Sequence, residues 1–196
     1  MAAEQPRQRV VEGKKEILSR RGHVRARHTP IICNERVIIR HLVASDVPAI
    51  ASLEADAYEP SLHESPEAFA RLIELFGDGA LGAFDEAGLC GYALGVPLRA
   101  GSVLELRRPL REVPADADMF YVHDVAVAAR CRGRGVGLAL AERLIAVGVS
   151  RGFRRFELVS VQGSAPFWAR FGFAIERELE YAPGARAVVM IRRVDS

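Results

Sequence analysis

The first half of the chain alternates between β-branched runs and segments whose apolar residues recur at helix spacing. The run at 37–40 predicts a first strand. Two helices follow, because Ser45 or Asp46 can cap the first and Ser65 can cap the second, with Pro66 in its first turn. In chain order, the predicted elements are a strand at 37–40, helices at 46–57 and 65–77, and strands at 80–84 and 89–96 joined by a hairpin turn.

The second half begins with a long loop at 97–117, which is rich in Pro, Arg and Glu. The apolar, β-prone run at 119–127 predicts a buried central strand, and a single apolar stripe predicts a helix at 135–150. The remaining predicted elements are a strand at 155–161, a short helix at 164–170 and a final hairpin of 173–180 with 187–192. This order predicts an α/β (α+β) fold, with a mixed central sheet of about six to seven strands and helices on both faces.

Composition and charge narrow the class of protein. The 196 residues suit one domain with an appendage, and no apolar run is long enough to span a bilayer or form a signal peptide. Three scattered cysteines make neither a zinc motif nor a disulfide framework, so we expect a cytoplasmic protein without metal. The first 30 residues hold eight basic and three acidic side chains, a net +5, and we interpret residues 1–35 as a solvated, poorly ordered extension rather than a nucleic-acid-binding arm.

The loop at 132–137, Arg-Gly-Arg-Gly-Val-Gly, connects the central strand to the helix at 135–150. Glycines let the backbone approach a ligand, and the following helix start offers unpaired N–H groups and the positive end of its dipole. Arg130, Arg132 and Arg134 add positive charge. The loop therefore predicts a pyrophosphate site.

Two common phosphate-binding motifs do not fit this loop. A P-loop needs Gly-Lys followed by Ser or Thr, which is absent. A dinucleotide fingerprint would need a small residue at position 138 or 140, and both are leucines, Leu138 and Leu140.

These residues resemble the GNAT superfamily of acyl-CoA N-acetyltransferases, whose pyrophosphate motif the 132–137 loop matches. The strand at 122–127 looks like the family's fourth strand, and the stretch at 160–173 looks like its last helix with the following Gly-Phe. The motifs are specific only from His123 to Phe173, although the order of elements agrees from about Arg36 to Arg193. The resemblance implies a splayed sheet, an acyltransferase domain at 36–196, and acetyl-CoA as the acyl donor held between the fourth and fifth strands.

The resemblance also implies which residues hold the donor. The pantetheine arm would pair with the backbone of the fourth strand, and the pyrophosphate would bind the amides that follow it. The implied cofactor-binding residues are Val125, Ala126, Val127, Arg132, Gly133, Arg134, Gly135, Val136, Gly137, Leu138, Ser164, Phe167, Trp168 and Arg170.

An amine acceptor must lose a proton before it attacks a thioester, so the site needs a general base. His123 is the best candidate, because an imidazole titrates near neutral pH and this one lies two residues before Val125, whose N–H could stabilise the oxyanion. Tyr121 is a second catalytic candidate by strand alternation. Asp124 could orient His123 only if a bulge placed both side chains on one face.

Trp168 departs from the family pattern, because many members carry at this place a tyrosine thought to protonate the leaving thiolate. An indole N–H is not a usable acid, so water, Tyr121 or Ser164 remain alternatives. Cys131 lies among arginines, but no motif supports an acyl-cysteine. Surface charges that could meet a cationic acceptor are Glu59, His63 and Glu105.

The predicted function is transfer of an acetyl group from acetyl-CoA to a primary amine, on a small molecule or on a peptide or protein. The alternatives are a non-catalytic acyl-CoA sensor and a nucleotide-binding redox domain. The expected partner is the amine acceptor, with neither a membrane nor nucleic acid involved, and a homodimer is compatible with the sequence.

Overall fold

The computed structural model describes residues 37–195, and the interpretation of residues 1–35 as an extension falls outside this range. Seven strands form one sheet in the order β1-β2-β3-β4-β5-β7-β6. The strands are β1 (Ile38–His41), β2 (Ala80–Asp85), β3 (Gly88–Leu98), β4 (Met119–Val127), β5 (Arg155–Ser160), β6 (Ala174–Ala182) and β7 (Ala185–Arg193). The helices are α1 (Val47–Ala57), α2 (Pro66–Leu75), α3 (Val136–Ser150) and α4 (Ala165–Ala169).

The predicted order of elements is confirmed, with small shifts at their ends. Ser65 caps α2 as expected, accepting a hydrogen bond from the Ala68 N–H at 3.2 Å. Asp46 does not cap α1. Instead it accepts from the Val43 N–H at 2.9 Å and so closes a short 3₁₀ turn ahead of the helix.

The sheet is mixed, as predicted. The pairs β1–β2, β2–β3 and β3–β4 are antiparallel. The pair β4–β5 is parallel, because α3 carries the chain back across one face of the sheet. Strand β7 lies between β5 and β6 and is antiparallel to both.

Helices cover both faces, and each face has its own apolar cluster. Ile50 and Leu53 of α1 and Phe69 of α2 pack on one side. Leu140 and Leu144 of α3 pack on the other. The fold class predicted from the sequence is therefore confirmed. Within residues 37–195, none of the helices has the length and apolar character needed to cross a membrane.

Strands β4 and β5 separate after a short stretch of pairing. Their register covers only Phe120–Val122 against Phe156–Leu158. Strand β4 continues to Val127 along β3, and β5 continues to Ser160 along β7. The two strands therefore splay apart and leave backbone of β4 uncovered on one edge, which opens a gap in the middle of the sheet.

A β-bulge lies at the point where the strands separate. Leu94 pairs with Asp124 and Gly95 pairs with Val122, so His123 is an extra residue in β4. A bulge lets two consecutive side chains point to the same face. The side chains of His123 and Asp124 both face the α1–α2 side, because their contacts are with residues of that side.

Candidate active site

A pocket of about 390 Å³ passes through the gap between β4 and β5. It has two ends, which are lined by different parts of the chain. The donor end is defined as the part formed by the C-terminal half of β4, the start of α3 and α4. The acceptor end is the part formed by α1, the segment after it, the bulge, the 97–117 loop and β6. Residues of the donor end are Val125, Ala126, Val127, Arg132, Gly137, Ser164, Phe167 and Trp168, and those of the acceptor end include Glu54, Tyr58, Leu62, Glu64, Leu106, His123, Asp124 and Tyr181.

The donor end has the backbone geometry of an anion site. Gly133 and Gly135 adopt positive φ values of 73° and 81°, a conformation that side chains disfavour. Gly135 immediately precedes α3, and no side chain caps this helix. The N–H groups of the first turn therefore remain available to a ligand, together with the positive end of the helix dipole. Gly137 faces the pocket, and a Cβ there would lie only 3.3 Å from the Val127 Cγ2.

The three arginines of the loop have different roles. Arg132 lines the pocket, and its Nε donates to the Val127 carbonyl at 3.1 Å. Arg130 instead forms an ion pair with Asp85 at 3.2 Å and bonds the Leu89 carbonyl, so its charge is directed away from the pocket. Arg134 is exposed, with one guanidinium nitrogen 3.8 Å from the Cys131 sulfur.

Cys131 does not belong to the pocket. It is fully buried against Asp85, whose carboxylate accepts from the thiol at 3.3 Å, and Cys90 lies beside it. The acyl-cysteine considered from the sequence has no geometric support. Asp85, Cys90 and Cys131 bring potential ligand atoms within 4.8 Å of one another, but the Arg130 guanidinium on Asp85 opposes a cation there.

Side chains on both strands and on α4 form the walls of the donor end. Trp168 is 6% exposed and packs edge-on against Phe167 and Phe173, so it serves the core as well as the pocket. Ser164 shares a hydrogen bond of 2.9 Å with Ser160. Six of the predicted cofactor-binding residues do not line the pocket: Gly133, Arg134, Gly135, Val136, Leu138 and Arg170. Val136 is buried in the core, so only its backbone could meet a ligand.

His123 lines the acceptor end of the pocket, where β4 and β5 separate. Its side chain is 5% exposed, and its Nε2 is 3.7 Å from a Glu64 carboxylate oxygen. Its Nδ1 is buried and has no hydrogen-bond partner. Burial lowers the pKa of His123 to about 4, because an imidazolium would lose its hydration. The ring is therefore neutral near pH 7 with a free lone pair, and its burial also makes it a weaker base than an exposed imidazole.

Asp124 does not orient His123, although the bulge puts both side chains on one face. Its carboxylate accepts from the Tyr58 hydroxyl at 2.5 Å and from the Tyr92 hydroxyl. Burial raises the pKa of Asp124 to about 6, and these two hydrogen bonds limit the rise. The N–H of Val125 also lies against this carboxylate, which competes with the oxyanion role expected for that N–H.

Two further carboxyl groups of the acceptor end were not identified from the sequence. Glu54 is 4% exposed and accepts from the Glu64 N–H at 2.7 Å. The Glu64 side chain is also 4% exposed and accepts from the Arg107 N–H. Burial raises the pKa of Glu64, and it raises that of Glu54 to about 8. Glu54 had a local signal, because it lies four residues after Ile50 on the buried stripe of α1.

Other residues suggested by the sequence lie elsewhere. Tyr121 is fully buried behind the pocket, with its hydroxyl against that of Tyr181, so its predicted catalytic role has no direct access to a substrate. Glu59 is exposed outside the pocket, and Glu105 is exposed and pairs with Arg108 at 2.8 Å. His63 bonds the Tyr58 carbonyl at 2.9 Å. Glu59, His63 and Glu105, which could have met a cationic acceptor, therefore do not line this pocket.

A splayed mixed sheet, a bulge at the splay and a glycine-rich loop entering a helix are features expected of an acyltransferase that uses a coenzyme A thioester. The chain belongs to the acetyltransferase (GNAT) family, whose sequence profile matches residues 47–173. Membership supports acyl transfer from a donor linked to coenzyme A. No curated protein sequence gives a significant match.

Solved structures with the same fold are numerous. The chain is similar to the loading GNATL domain of CurA from Lyngbya majuscula, with a TM-score of 0.69 at 15% identity, covering 80% of this chain and 97% of that one. It is similar to Ard1 from Thermoplasma volcanium, with a TM-score of 0.65 at 16% identity, covering 82% and 99%. It is also similar to the ribosomal-protein-S18-alanine N-acetyltransferase from Escherichia coli, with a TM-score of 0.59 at 18% identity, covering 82% and 95%. These identities show a shared fold and no more.

Proposed function

We propose that this protein transfers an acetyl group from acetyl-CoA to a primary amine, with His123 as the general base. The observation that carries the proposal is the unpartnered Nδ1 of His123, buried at the point where β4 and β5 separate. A buried polar atom without a partner is costly unless a ligand completes it. A neutral imidazole at this place can take the proton that the attacking amine must lose.

The donor would enter from the start of α3. Its pyrophosphate would bind the amides at 133–138 with Arg132 alongside, and its pantetheine arm would run along the uncovered edge of β4 at 125–127. This orientation directs the thioester towards His123, because β4 leads from the loop back to the bulge. The E. coli structure with the same fold is by name an alanine N-acetyltransferase, which is consistent with an amine acceptor.

The amine reaches the site mostly protonated, since an ordinary alkylamine has a pKa of about 10.4. In the proposed reaction His123 first accepts a proton from the ammonium, directly or through water, and the neutral amine nitrogen then attacks the thioester carbon. The carbon–sulfur bond breaks, and the nitrogen loses its second proton to solvent. Coenzyme A leaves as the thiolate and takes up a proton from solvent, because Trp168 supplies no acid. Glu64, whose carboxylate is 3.7 Å from the His123 Nε2, stabilises the imidazolium formed in this step.

The test is a screen of alkylamines, polyamines, amino acids and peptides with free N-termini against acetyl-CoA. Release of free thiol would be followed continuously, and the acetylated nitrogen would be identified by mass spectrometry. We expect thiol release and N-acetylated product with at least one primary amine. Binding of acetyl-CoA without transfer to any member of the panel would contradict the proposal and favour a non-catalytic acyl-CoA sensor.

A further inference from the structure

The acceptor end of the pocket gathers three buried carboxyl groups from three separate parts of the chain. Glu54 comes from α1, Glu64 from the segment before α2, and Asp124 from the bulge in β4. None of the three forms an ion pair with a lysine or arginine side chain within residues 37–195. Buried carboxyl groups in proteins are ordinarily either protonated or paired with a cation, so a bound cation would be favoured at this cluster.

A second observation points to a ligand at the same place. The Nδ1 of His123 is buried without a partner, and His123 lines the pocket beside Glu64 and Asp124. The acceptor end therefore lacks two things that a ligand could provide: a positive charge beside the carboxyl groups and a hydrogen-bond partner for the imidazole. One primary amine would supply both, because an ammonium carries the charge and its N–H groups can donate to the ring nitrogen.

Arg107 is a basic residue whose charge acts on Glu54 and Glu64, but its side chain is not paired with either of them. Its backbone N–H contacts Glu64, while its guanidinium donates to the Pro60 carbonyl at 2.8 Å. Its charge therefore acts on Glu54 and Glu64 only from a distance.

We propose that the acceptor end selects a small primary amine that carries no carboxylate near its nitrogen. Glu54 and Glu64 attract the ammonium, and the same two groups together with Asp124 repel an acceptor that brings its own carboxylate. The walls at Tyr58, Leu62, Leu106 and Tyr181 are mostly apolar, which suits a hydrocarbon or aromatic body. This inference rests on the proposed function and narrows its substrate class.

Binding of the cation should release a proton from the protein. With burial raising its pKa to about 8, Glu54 holds a proton at pH 7 in the free protein. An ammonium beside it favours the carboxylate, so the proton is released on binding. The titratable and charged groups facing Glu54 that shape this response are Glu64, Asp124, Arg107, Tyr58 and Tyr92.

The kinetic test uses matched pairs of acceptors that differ only in a carboxylate: phenethylamine with phenylalanine, and tyramine with tyrosine. We expect kcat/KM for the amine of each pair to exceed that for the amino acid by at least about tenfold. Glu54→Gln and Glu64→Gln should each raise KM for the amine and narrow this ratio. Glu59→Gln is the matched control, because Glu59 is exposed and outside the pocket. Equal rates for amine and amino acid, or an unchanged ratio in both variants, would overturn the inference while leaving amine acetylation intact.

The binding test does not depend on turnover. Phenethylamine would be titrated into the coenzyme A-bound protein by calorimetry at pH 7, in two buffers of different ionisation enthalpy. We expect binding with net proton release in the wild type and loss of that release in Glu54→Gln. No binding, or binding without proton release, would overturn the inference. Binding with proton release but no transfer from acetyl-CoA would instead contradict the proposed function alone.

Discussion

The two ends of the pocket are built in opposite ways. The donor end comes largely from one contiguous stretch, in which β4, the glycine loop and α3 follow one another within 119–150. The acceptor end is assembled from α1, the 58–64 segment, the bulge, the 97–117 loop and β6. A contiguous site can be recognised from local sequence, whereas an assembled site depends on the fold. Changes at one end should therefore leave the other largely intact, and the following predictions test that separation.

The largest effect expected on binding of the donor comes from filling the donor end with Gly137→Leu. A Cβ added at this position would lie 3.3 Å from Val127 and 3.9 Å from Phe167, so a leucine side chain would occupy the space of the donor. A clash with the bound donor that costs as much as overpacking costs a protein core, about 1–3 kcal/mol, would lower acetyl-CoA affinity by roughly 5- to 150-fold. Calorimetry measures this, and Gly77→Ala is the control because nothing lies near that position. Unchanged affinity would contradict the assigned donor end.

Removing one hydroxyl of the Asp124 network should weaken the acceptor end without affecting the donor end. Tyr58→Phe takes away a hydrogen bond to a buried carboxylate, and hydrogen bonds to charged groups contribute about 1.5–3 kcal/mol. The free energy of unfolding in urea should fall by that amount, while acetyl-CoA affinity stays within a factor of two or so of wild type. A loss of donor affinity with no loss of stability would refute the separation of the two ends.

The buried carboxyl of Glu54 should make stability depend on pH in a definite direction. The folded protein raises its pKa from the ordinary value of 4.5 to about 8, so the folded state holds the proton over this range and the unfolded state releases it. Stability from this group is fully present below pH 4.5 and is lost as the pH rises towards 8. Glu54→Gln should therefore be more stable than wild type at pH 8.5 and gain nothing at pH 4.5, with a difference that grows by at most about 1.4 kcal/mol per pH unit between these values. Thermal unfolding at both pH values checks the sign, and an equal gain at both would rule out this cause.

The smallest expected effect separates two neighbouring arginines. Arg132 lines the pocket, whereas Arg130 is held by Asp85 outside it. Arg132→Ala should raise KM for acetyl-CoA by roughly two- to fivefold at low salt, with less effect at high salt, because a partly exposed charge contributes about 0.5–1 kcal/mol. Arg130→Ala should leave KM unchanged. Equal effects of the two substitutions would mean that general surface charge, and not the position of Arg132, attracts the donor.

The same contrast explains how much could be predicted from the sequence. The order of elements, the mixed sheet and the 132–137 loop were predictable, because apolar periodicity and glycine spacing are local properties. The bulge at His123 was not, since it appears only as a shift of register between β3 and β4. Asp124 was considered as a partner of His123, and the structure gives it to Tyr58 and Tyr92 instead.

Among the acceptor residues that sequence reasoning missed, Glu54 had a local signal, because a carboxylate on the buried stripe of a helix is unusual. Glu64 and Tyr181 had none. They come from a loop and from a strand at the far side of the sheet, and only the tertiary fold brings them to the pocket.

The central claim is that His123 is the general base that accepts the proton of the amine, while the acyl group is held at the donor end. The most direct test measures kcat and the dissociation constant of acetyl-CoA for wild type and His123→Ala, with phenethylamine as acceptor. Removal of a general base typically costs about 10²- to 10⁴-fold in rate. We expect kcat to fall by at least about 100-fold while acetyl-CoA binds as before. A variant that keeps its kcat would contradict the assignment of His123.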